Sequence, residues 1–170
     1  ALTAVLTVPV GIAASLVTGP SRTAAALTAP RLVADANLDG ASSVPTELTE
    51  VAGRLFFIAD DGAHGRELWV TDGSRPATIL ADINPGESGS GPGHLFGWNG
   101  VLFFTAYSPD AGIELWRSDG TPTGTYRVSD IYPGPGGSSP QGFTVYANHV
   151  YFTATSSTGS ELWRTNGKQT

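Results

Sequence analysis

The sequence predicts an all-β protein built as an array of similar units, and three observations carry that expectation. The tripeptide Glu-Leu-Trp stands at residues 67–69, 114–116 and 161–163, a step of 47 residues each time. Glycine and proline are abundant, 22 and 12 in a chain of 170, while lysine and glutamate are few, which favours turns and short strands over helices. The apolar stretches between the copies are short and apolar at successive positions, as strands covered on both faces are.

Composition removes several classes of function. The net charge is −6, and eight of the nine basic residues are arginines scattered singly, so no basic stripe is available for nucleic acid. Without cysteine there is neither a disulfide framework nor a thiolate metal site. Methionine is also missing, even at position 1, which suggests a chain that starts inside its reading frame or after processing.

Residues 1–30 read as a leader. Leu2 to Val17 is apolar but interrupted by Pro9 and Gly11, and is shorter than the roughly 20 residues of a membrane span. Thr18-Gly19-Pro20-Ser21 and the small residues Ala24-Ala25-Ala26 follow, giving the outline of a signal peptide without its charged start. The expected location is therefore secreted or cell-surface, with no stable membrane span.

Residues 31–170 form the repeat region, with units at approximately 35–81, 82–129 and 130–170. Asp35, Asp82 and Asp130 each open a Gly/Ser-rich loop reaching Pro45, Pro92 or Pro140, after which Leu48, Leu95 or Phe143 starts a short strand. The second strands are Arg54–Ala59, Val101–Ala106 and His149–Ala154. A turn at Gly65, Gly112 or Gly159 leads into the Glu-Leu-Trp strand, and Asp72-Gly73 or Asp119-Gly120 is expected to close a tight hairpin into a fourth strand, Thr78–Ala81 or Thr125–Ser129. Four antiparallel strands per unit is the pattern of a propeller blade, about three blades here and part of a larger ring. Arg31–Ala34 matches Thr78–Ala81 and is a spare fourth strand, whereas the last unit lacks one, so self-association through these open blade edges is expected.

The motif residues Glu67-Leu68-Trp69-Val70-Thr71-Asp72-Gly73-Ser74, Glu114-Leu115-Trp116-Arg117-Ser118-Asp119-Gly120-Thr121 and Glu161-Leu162-Trp163-Arg164-Thr165-Asn166-Gly167 resemble the ELWxxDGT repeat, a family of bacterial, mostly secreted or surface proteins. Asp130-Ile131-Tyr132-Pro133-Gly134 and the Leu-Phe-Phe strands match its neighbouring elements. Departures are Ser74, Asn166, Lys168 and the first loop, Asp35-Ala36-Asn37-Leu38-Asp39-Gly40. The resemblance implies a β-propeller-like domain outside the cytoplasm and brings no active site with it.

The motif tryptophans fit core packing better than an exposed sugar platform, since one stands at a fixed place in every unit. Glu67, Glu114 and Glu161 either line a rim as a ring of carboxylates or accept bonds from nearby turn N–H groups or an arginine. The sialidase Asp box has Asp-Gly before Trp, and here the order is reversed. His64, His94 and His149 have no metal-ligand spacing, and no Gly-x-Ser-x-Gly elbow occurs. Asp60-Asp61 breaks the repeat, its counterparts being Tyr107-Ser108 and Thr155-Ser156, although Asp-Asp-Gly is also an ordinary turn.

Two functions remain. One is a non-catalytic extracellular binding or scaffolding module whose loops hold a glycan, a peptide or a protein. The other is a propeller-type hydrolase or lyase with carboxylates or arginines converging on a central channel. No catalytic residue is assigned. Asp35, Asn37 and Asp39, followed by Gly40 and with Glu47 as a further donor, place oxygens as the first half of a calcium loop does; the competing reading is an Asx-rich turn.

Overall fold

The computed structural model describes residues 31–38 and 40–168, so the expected leader and Asp39 lie outside the described residues. Among the described residues the regular structure is entirely β, and no helix is long and apolar enough to cross a membrane. Three antiparallel meanders follow one another. The first sheet is β1 (Thr46–Val51), β2 (Arg54–Asp60), β3 (Arg66–Thr71) and β4 (Thr78–Ala81). The second is β5 (Gly93–Trp98), β6 (Val101–Ser108), β7 (Gly112–Ser118) and β8 (Tyr126–Arg127). The third has β9 (Gln141–Tyr146), β10 (His149–Ser156) and β11 (Gly159–Thr165).

Local sequence explains the turns. At each first hairpin two consecutive residues take positive φ: Ala52 and Gly53 (52° and 77°), Asn99 and Gly100 (50° and 75°), Ala147 and Asn148 (46° and 59°). That is the two-residue turn whose twist matches paired strands. In each first strand one residue, Glu47, His94 or Gly142, also has positive φ, and there the pairing slips in register. The second and third strands then pair identically, so Phe57 faces Trp69, Phe104 faces Trp116 and Phe152 faces Trp163.

Because side chains alternate across a strand, each sheet has a tryptophan face and a leucine face, and the sheets stack one on the other. Phe56, Leu68 and Leu80 of the first sheet meet Phe104, Ala106 and the half-buried Trp116 of the second. Phe103, Leu115 and Val128 of the second meet Phe152, Ala154 and Trp163 of the third. The two outermost faces differ. The tryptophan face of the first sheet, with Phe57, Ala59 and Trp69, packs against Ala36. The leucine face of the third is open: Leu162 is 71% exposed, whereas Leu68 and Leu115 are 0% and 1%. Full burial of such a side chain stabilises a fold by roughly 1.5–3 kcal/mol, a contribution Leu162 does not make.

The third sheet has three strands among the described residues, as the repeat frame predicts, and no closed ring of sheets forms among them. Two expectations are corrected. β8 is confined to Tyr126–Arg127, because Thr125 belongs to the preceding loop, its hydroxyl donating to the carbonyl of Thr121 at 2.8 Å. Asp72-Gly73 and Asp119-Gly120 do not close tight hairpins; they begin loops over residues 72–77 and 119–125. The cause is the aspartate itself. Asp72 Oδ1 accepts from the N–H and the hydroxyl of Ser74 at 2.8 and 2.7 Å, and Asp119 Oδ1 from those of Thr121 at 3.0 and 2.7 Å, an Asx turn that widens the connection.

Candidate functional site

The motif glutamates are buried polar groups in an apolar sandwich, and their partners explain why they are tolerated. Glu67 Oε1 accepts from the N–H groups of Ser90 and Asn84 at 2.7 and 3.2 Å, and Oε2 from the Ser90 hydroxyl at 2.5 Å. Glu114 repeats this with Ser138 N–H at 3.0 Å, Tyr132 N–H at 3.1 Å and the Ser138 hydroxyl at 2.5 Å. Both carboxylates are fully buried, and burial pushes each above the ordinary glutamate range against the pull of these donors. Each glutamate therefore fastens the linker that carries the chain into the next sheet. Glu161 is exposed.

The linker presses against the motif strand at two glycines. A Cβ on Gly65 would stand 2.4 Å from Glu87 O, and one on Gly112 would stand 2.5 Å from Gly137 N. Beyond this contact, Ser90 O accepts from Tyr107 N–H at 2.9 Å and Ser138 O from Thr155 N–H at 2.8 Å, tying the linker to the next sheet as well. Arginines cross the same junctions: Arg54 donates to Asp119 O at 2.6 Å and Arg117 to Gly167 O at 2.8 Å.

Trp69, Trp116 and Trp163 pack within cores, and Trp163 Nε1 donates to Ala154 O at 3.2 Å. Leu68 and Leu115 are buried beside them. Asp72, Asp119 and Asn166 are turn formers, with hydrogen bonds from their own loops holding both aspartates below the usual carboxylate range. Gly73 and Gly120 take φ of 76° and 86°, and the Gly120 turn packs on Arg54.

Asp60 and Asp61 form a turn knot. Asp61 Oδ1 accepts from Ala63 and His64 N–H at 2.9 and 2.8 Å, and Oδ2 contacts His64 Nδ1 at 2.6 Å. These partners outweigh desolvation and lower Asp61 to about 2, while the carboxylate raises His64. His94 and His149 lie on β5 and β10, away from this pair in the topology.

Of the calcium candidates, Asp35 is exposed and Asn37 is buried beside Gly62. Glu47 Oε2 accepts from Leu95 N–H at 2.9 Å, which ties β1 to β5. Among the described residues no group of three or more acidic, histidine or cysteine side chains could hold a metal ion.

An open cleft of about 670 Å³ is lined by Trp116, Tyr126, Arg127 and Asp110. Arg127 Nη1 bridges Asp110 Oδ2 at 2.9 Å and Ser108 Oγ at 3.1 Å, so the cleft presents an ion pair beside aromatic rings. Sequence reasoning missed this cleft, because apart from the motif residue Trp116 these side chains come from the loop between β6 and β7 and from β8 and share no motif. It also missed Ser90 and Ser138, whose signal was a serine 23 or 24 residues after the motif glutamate.

No family model, no curated protein and no solved structure matches the chain.

Proposed function

We propose that this chain is a non-catalytic extracellular binding or scaffolding module, its sheets being blades of a β-propeller of the ELWxxDGT kind. The observation that carries the reading is the fate of the motif carboxylates. Glu67 and Glu114, both fully buried, each spend both oxygens on linker N–H and hydroxyl groups. A catalytic acid or base must reach a substrate proton, and a carboxylate closed off in this way does not.

The stacking of tryptophan face on leucine face and the meander order support the propeller assignment. The apolar leader supports export. The Asp110–Arg127 cleft suits a polar ligand, a glycan or an extended peptide, because it offers paired charges for hydrogen bonding beside Trp116 and Tyr126.

Arrays of glycans and peptides, probed with the purified chain alongside a panel of glycosidase, esterase and lyase substrates, test the proposal. Saturable binding that weakens in Arg127→Ala while the melting temperature holds is expected. Turnover of any substrate, abolished by Asp110→Asn, contradicts it.

A further inference from the structure

Arg127 stands where the repeat elsewhere places an apolar side chain. In the first sheet the motif residue Trp69 is paired across the strands with Ile79; in the second, Trp116 is paired with Arg127. Ile79 packs with Phe57 and Trp69, the apolar burial that such a position ordinarily supplies. Arg127 forgoes it for an ion pair with Asp110 at 2.9 Å, and with the aspartate side chain 67% exposed that pair returns little stability. Asp110 is a second departure. Ala63 and Ser157 stand two residues before Gly65 and Gly159, whereas Asp110 stands two before Gly112. Both members of the pair break the repeat, and both line the open cleft of the second sheet.

Donors and acceptors lie side by side there. Nη1 of Arg127 donates to Asp110 Oδ2 and Ser108 Oγ, at 2.9 and 3.1 Å. Its Nε and Nη2 have no protein partner among the described residues, and they carry the rest of the guanidinium N–H groups. Hydrogen bonds from Ser108 and Arg127 hold Asp110 below the ordinary carboxylate range, so it stays ionised as an acceptor, and its exposure leaves lone pairs open to the cleft. Trp116 and Tyr126 beside them are half-buried and held in place, Trp116 against Phe104 and Tyr126 under the Arg117 guanidinium, 5.2 Å from the ring centroid. An aromatic face carries the negative end of the ring quadrupole and attracts C–H groups.

We propose that the cleft binds a neutral glycan through a vicinal diol, an inference that rests on the binding role proposed above. Each hydroxyl of a diol is donor and acceptor at once, so one sugar unit accepts from Arg127 and donates to Asp110 while its C–H face packs on an aromatic ring. An anionic sugar or a phosphate would meet the Asp110 and Asp130 carboxylates, and a cation would meet Arg127. A peptide that adds to a sheet edge draws its affinity from a run of main-chain hydrogen bonds. Here the edge strand β8 is two residues long, and the N–H of Val128 beyond it is already given to Leu115 O at 2.8 Å. The cleft volume of about 670 Å³ lies within the range of about 300–1,000 Å³ usual for small-ligand sites.

Glycan and peptide arrays probed with the chain test it, the glycans being printed both intact and after mild periodate oxidation, which cleaves vicinal diols. Saturable binding to intact neutral glycans is expected, weakened about tenfold or more by oxidation, the scale of lost charge-assisted hydrogen bonds. Arg127→Ile installs the residue that the first sheet carries at this place. It should melt no lower than the parent, yet bind the best glycan of the array about tenfold or more weakly by calorimetry. Asp110→Ala alters an exposed loop side chain and should bind as weakly, so the test does not depend on the isoleucine variant folding. Binding that survives periodate, that both variants leave intact, or that is confined to uronate- or sulfate-bearing glycans overturns the proposal. Binding to peptides alone overturns it too, and leaves the broader binding role standing. Silence on both arrays overturns the two together.

Discussion

The hydroxyl of Ser90 donates to Oε2 of Glu67 at 2.5 Å across 23 residues of sequence, and both groups are buried. This bond joins the third strand of one sheet to the linker entering the next, so its loss should loosen two sheets together. The raised pKa of Glu67 fixes the sign of its pH dependence. Stability linked to a group raised in the folded state is fully present below the unfolded value, about 4.3, and is lost as pH rises through the folded value. Denaturant titrations from pH 4 to 8 should therefore show the parent losing stability relative to Glu67→Gln as pH rises. A gap between them that is constant, or that widens in the parent's favour, is the contrary result.

Trp116 lies against Phe104, with ring centroids 6.4 Å apart, in the core between the first and second sheets. Truncating a large aromatic in such a place costs about 3–5 kcal/mol. Trp116→Ala should unfold at correspondingly lower denaturant. An unchanged midpoint would make the ring a ligand platform.

Gly112 and Gly100 both have positive φ, 67° and 75°, but only Gly112 is pressed against backbone, with Pro135 O at 2.6 Å from a Cβ built there. Gly100→Ala should cost about 1 kcal/mol, the strain of the left-handed region alone. Gly112→Ala should cost at least about 2 kcal/mol more, since the linker must move. Equal losses in the two variants, read from urea midpoints, would mean that the linker is not held where the structure places it.

The strands were legible because they are written in local terms. Phe103-Phe104 and Phe56-Phe57 announce two covered faces, and the step of 47 residues fixes the order of the sheets. What was illegible depended on long-range partners. Nothing near Glu67 in sequence says that its carboxylate will meet Ser90, and the Asp-Gly pair looks the same whether it closes a hairpin or, as at Asp72, folds onto Ser74 to open a longer loop. The Asp110–Arg127 pair was hidden for the same reason, its members being 17 residues apart and outside every motif. That the third sheet has three strands among the described residues was readable from the repeat frame; the exposure of Leu162 needed the stacked sheets to be seen.

The central claim is that the motif glutamate is a fastener between sheet and linker, and a double-mutant cycle on Glu114 and Ser138 tests it most directly. With Glu114→Gln, Ser138→Ala and the double variant, the two single losses should exceed the double loss by about 1–3 kcal/mol, the coupling of a buried, charge-assisted hydrogen bond. Additive losses, with no coupling between the two sites, would contradict the account and return the carboxylate to the list of groups available for chemistry.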